Sequence, residues 1–98
     1  MQTIIYGDDP FFVQAACMCA DCTATVITDP AAAAHLPVLS SHTSVALFDN
    51  LFSTEVFSAV SDRSQVRFML CFAAREGQET ALDLIEKAGF TGSSFILI

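Results

Sequence analysis

The chain has 98 residues and a net charge of −7, from eleven carboxylates against four Lys and Arg; 53% of the residues are apolar and 15% charged. An average soluble domain carries roughly 25% charged residues, so the acidity reflects missing cations rather than crowded carboxylates. That excludes a disordered chain, which combines low hydrophobicity with high charge. It also excludes a phosphate-binding nucleic-acid surface, because Arg63, Arg67, Arg75 and Lys87 are scattered.

The length suits one domain, residues 1–98, with a single real core. The longest apolar runs, Ala15–Ala20 and Phe68–Ala74, are far shorter than a bilayer-crossing helix. No basic segment precedes an apolar one at the N-terminus, so no signal peptide is read. Four cysteines without an export signal point to reduced thiols and a cytoplasmic location.

In chain order, Thr3–Tyr6 reads as a strand that stops at Gly7. Asp9-Pro10 is a cap followed by a first-turn proline, and predicts a well-buried helix from Pro10 to about Asp21. Thr23–Thr28 is β-prone, and Asp29-Pro30 repeats the helix-start signal for a short helix through His35. Ser44–Phe48 is the third strand, with Asp49-Asn50 at its end. Leu51–Val60 has helical spacing. Val66–Phe72 is the fourth and most apolar strand. Gln78–Ala88 is the fourth helix, with Glu76 and Glu79 at its positive end, Lys87 at its negative end and Gly89 as its stop. Ser94–Ile98 is the fifth strand.

Strands alternating with helices, and lacking polar alternation of their own, predict an α/β fold: a doubly wound, flavodoxin-like parallel sheet of five strands with helices on both faces. The expected order is 2-1-3-4-5. Ligands of such sheets lie beyond the strands' carboxyl ends where the order switches, here between the first and third strands. Asp8, Asp9 and Asp49 would converge there, and hard oxygen ligands suit Mg²⁺.

Four segments in order resemble the receiver domain of two-component response regulators. Ile4-Ile5-Tyr6-Gly7-Asp8-Asp9-Pro10 looks like its acidic-pair segment, and Ser44–Asp49 like the strand ending in the phosphoacceptor. Phe68–Glu76 looks like its fourth strand and exit, and Ala88–Gly92 like the stretch before its fifth strand. The resemblance implies Asp49 as the phosphoacceptor-like residue and Asp8, Asp9 and Asp49 around Mg²⁺. Two switch positions depart from it: Ala73 stands where receivers carry Ser or Thr, and Ile96 where they carry Lys. A receiver also continues into a fifth helix, which implies a longer chain or a covering partner.

The resulting expectation is a degenerate, phosphorylation-independent signalling domain, not an enzyme. It would act by protein–protein contact or homodimerisation through the fourth strand, fourth helix and fifth strand, without contacting nucleic acid or membrane itself. A DNA-binding module often follows such a domain in the family. The alternative is a small acidic inhibitor or immunity protein that blocks a basic partner surface.

Other residues read as structural. Cys17, Cys19 and Cys22 cannot converge from one helix, and Cys71 lies in a strand, so the thiols read as buried hydrophobes. His35 and His42 have no nucleophile nearby in sequence, and the nine phenylalanines read as core.

Overall fold

The computed structural model describes residues 2–19, 24–36, 43–58, 60, 66–90 and 94–97. Ala20, Asp21, Cys22, Thr23, His42, Arg63, Gly92 and Ile98, all named above, lie outside the described residues. The elements are β1 (Gln2–Gly7), α1 (Pro10–Cys19), β2 (Ala24–Thr28), α2 (Pro30–Ala33), β3 (Thr43–Leu47), a 3₁₀ turn (Thr54–Phe57), β4 (Val66–Cys71), α3 (Arg75–Lys87) and β5 (Ser94–Leu97).

All strand pairs are parallel, and the order is β3-β2-β1-β4, with β5 beyond β4. This overturns the expected order 2-1-3-4-5: β1 lies between β2 and β4, and β3 is an edge. The cause is apolar content. A central strand must be buried on both faces. β1 and β4 are buried along most of their length, whereas β3 (Thr-Ser-Val-Ala-Leu) has only two large apolar residues and stays largely exposed.

Alternation along the strands separates two cores. Ile4, Tyr6, Ile27, Phe68 and Leu70 pack with Phe57, Ala81 and Ile85 on one face. Ile5, Val26, Met69 and Cys71 pack with Val13 and Ala16 of α1 on the other. α1 therefore covers one face and α3 the opposite one. The connection from β3 to β4 crosses on the α3 side, through buried Leu51, Val56 and Phe57.

Two helix starts are made as the sequence implies. Asp9 Oδ1 accepts the N–H groups of Phe11 (2.9 Å) and Phe12 (3.1 Å). Asp29 Oδ1 accepts that of Ala32 (2.7 Å). Gly89, at φ 82°, ends α3 in the left-handed region. The helix expected over Leu51–Val60 is instead the single 3₁₀ turn. Ser53 Oγ and Asn50 Oδ1 take the N–H groups of Glu55 and Phe52, and divert the backbone into short turns. Nor are all the phenylalanines core: Phe57, Phe68 and Phe72 are buried, but Phe11 and Phe52 are exposed.

Candidate functional site

In the observed order, the switch point lies between β1 and β4, so the crevice above these strands is where topology places a ligand. Bordering it are Gly7 at the end of β1, Asp8 and Asp9 after it, and Phe72 and Ala73 after β4. Gly7 is dictated by close approach: a Cβ there would stand 2.0 Å from the Cys71 carbonyl oxygen. Thr28, fully buried, donates its hydroxyl to the Gly7 carbonyl (2.7 Å) and fastens β2 to the same point. The Asp9 N–H donates to the Cys71 carbonyl (3.0 Å).

The two carboxylates at this edge engage their own backbone. Asp8 Oδ1 accepts the N–H of Ala73 (3.2 Å) and so clasps the exits of β1 and β4 together. Asp9 caps α1, as described. The N–H groups with which a helix of this topology would meet a phosphate are therefore already bonded to a carboxylate. Ala73, read from sequence as a position lacking a hydroxyl, contributes its backbone here.

Asp49 follows edge strand β3 and is exposed. The convergence expected of Asp8, Asp9 and Asp49 required β3 beside β1, and β2 occupies that place. Among the described residues, no group of three or more His, Cys, Asp or Glu side chains is arranged to hold a metal ion. Ile96 lies in β5, in register with Met69 of β4.

Below the edge, Tyr6 holds the loop after β3. Its buried hydroxyl donates to the Leu51 carbonyl, and its ring meets Phe57 and Phe72 edge-on at 5.5 and 4.9 Å. Burial, reinforced by Asp8, pushes its ionisation well above the ordinary phenol range. Burial first, then Cys17 and Asp9, pushes the Cys71 thiol up to about 12. Cys17, half-buried, is also raised by burial. Burial thus favours the neutral thiol form of both at neutral pH.

The feature that sequence reasoning missed is the outer face of α1. Phe11 is 72% and Met18 75% exposed, although the helix was expected to be well buried. They stand seven residues apart, two helical turns on one side, with Gln14 and Ala15 between them. α1 contains no charged residue. The signal was present in the sequence: a helix apolar all round, ten residues long, covers a sheet with only one side.

No family model matches the chain, and neither a curated protein nor a solved structure matches it. Among the described residues, no helix is long and apolar enough to cross a membrane.

Proposed function

We propose that this protein is a binding module that works by contact with another protein, through the outer face of α1. One observation carries the reading: Phe11 and Met18 stand bare on a helix without a charge, in a chain whose other long helix is charged along its outer side. Exposed apolar patches mark contact surfaces, and aromatic residues and Met are enriched at interface centres, where Lys and Glu are depleted. The internal bonding of Asp8 and Asp9 supports regulation by occupancy of this face rather than by phosphoryl transfer. The test compares two baits, the wild type and Phe11→Ser/Met18→Ser, in a lysate of the source cells. The expected result is a protein held by the wild type alone, with the difference reproduced between purified chains. Equal retention by both baits overturns the reading.

A second reading has its own observation. Glu76, Glu79, Asp83 and Glu86 are exposed and recur at helical spacing along one side of α3. Such a stripe suits an acidic blocker of a basic surface. Binding through it would weaken steeply with salt, whereas binding through α1 would not.

A further inference from the structure

We propose that Met18 is an oxidation site, at which a peroxide converts the thioether to a sulfoxide and turns the outer face of α1 from apolar to polar without disturbing the fold. The site stands on its own geometry. Its consequence for binding rests on the reading of that face as a contact surface.

Exposure separates the sulfurs. Met18 is 75% exposed, whereas Met69 is 8% exposed and packs in the core beneath α1. Cys71 is buried in the same core, and Cys17 is half-buried against it. A thiol reacts with peroxide as its thiolate, and burial works against that form at both cysteines. A thioether has no proton to lose, so its oxidation does not wait on ionisation and follows access. The step balances. The peroxide O–O bond breaks, an S–O bond forms at Met18 Sδ, the sulfur loses two electrons, and the peroxide, reduced by the same two, leaves as water or an alcohol. Methionine sulfoxide reductases return the sulfoxide to the thioether.

Position keeps the change local. Met18 is the penultimate residue of α1, and at about 100° per residue it points away from Val13 and Ala16, which face the core. Its tip can become polar while the buried side of the helix keeps its packing. The effect on the surface is large in proportion. α1 has no charged residue, and its exposed large apolar side chains are Phe11 and Met18. Oxidation makes one of these two a strong hydrogen-bond acceptor, which must be stripped of water before a dry contact can form over it. The face is therefore open to an apolar partner when Met18 is reduced and closed when it is oxidised.

The test treats the full chain with hydrogen peroxide at about pH 6, where thiols are ionised still less, and sequences its fragments by tandem mass spectrometry. Met18 should gain one oxygen while Met69 gains none, with circular dichroism unchanged. On a phenyl column the oxidised chain should elute earlier than the untreated one, and methionine sulfoxide reductases should restore both mass and elution. Met18→Leu, which keeps the face apolar, should elute alike before and after peroxide. Oxidation of Met69 as early as Met18 overturns the proposal. So does lost circular dichroism on oxidation of Met18, an unchanged elution of the oxidised chain, or a Met18→Leu protein whose elution still shifts. Each of these leaves the contact reading standing. Equal retention by the wild-type and Phe11→Ser/Met18→Ser baits overturns the contact reading instead, and with it the consequence for binding.

Discussion

α1 and α3 flank the same sheet on opposite faces but are built on opposite plans. α3 buries Ala81 and Ile85, half-buries Leu82 and Leu84, and turns Glu76, Glu79, Asp83, Glu86 and Lys87 to water. α1 buries Val13 and Ala16, and turns Phe11 and Met18 to water. An ordinary surface helix resembles α3. The comparison teaches that α3 turns charged side chains to water, whereas α1, which has no charged residue, turns Phe11 and Met18 there, the surface on which the proposed contact rests.

Stability measurements can break that comparison. The largest effect is expected where the strands meet: Gly7→Ala forces a methyl group into the Cys71 carbonyl and should cost about 3 kcal/mol or more, or prevent folding. Ile85→Ala, on the buried side of α3, should lower urea-unfolding stability by about 2–5 kcal/mol. Asp9→Ala, which removes the cap of α1, should cost about 1 kcal/mol by the same measurement. The smallest effects sharpen the contrast. Phe11→Ser/Met18→Ser should shift stability by no more than about 0.5 kcal/mol per site, despite removing two large apolar side chains. Were these residues core, each would cost about 2–5 kcal/mol. Glu79→Ala, which breaks only the exposed 3.2 Å pair with Arg75, should be equally silent in urea.

Local chemistry was legible in the sequence to the extent that it is local. Asp9-Pro10 and Asp29-Pro30 start helices because a short carboxylate reaches the first free N–H groups wherever the chain then goes. Gly89 stops α3 for an equally local reason. Strand order is not local. The same elements with right-handed crossovers permit 2-1-3-4-5 as readily as the observed arrangement. The deciding signal was graded: Thr43, Ser44 and Ala46 make β3 too polar and too small for a central strand. Misplacing β3 carried Asp49 toward the acidic pair, and a site residue inherits any error in the strand that bears it. The outer side of α1 is a different case: apolar composition marks burial only on the side that meets a packing partner, and a helix on a sheet face has one side with nothing to bury against.

Whether the strand-end carboxylates serve the fold or a phosphoryl group is decided most directly by exposing the protein to acetyl phosphate and Mg²⁺ and weighing it intact. Asp8 clasps Ala73, Asp9 caps α1 and Asp49 follows the edge strand, so the expected mass is that of the untreated chain. A phosphoryl adduct that Asp49→Asn abolishes would contradict this account.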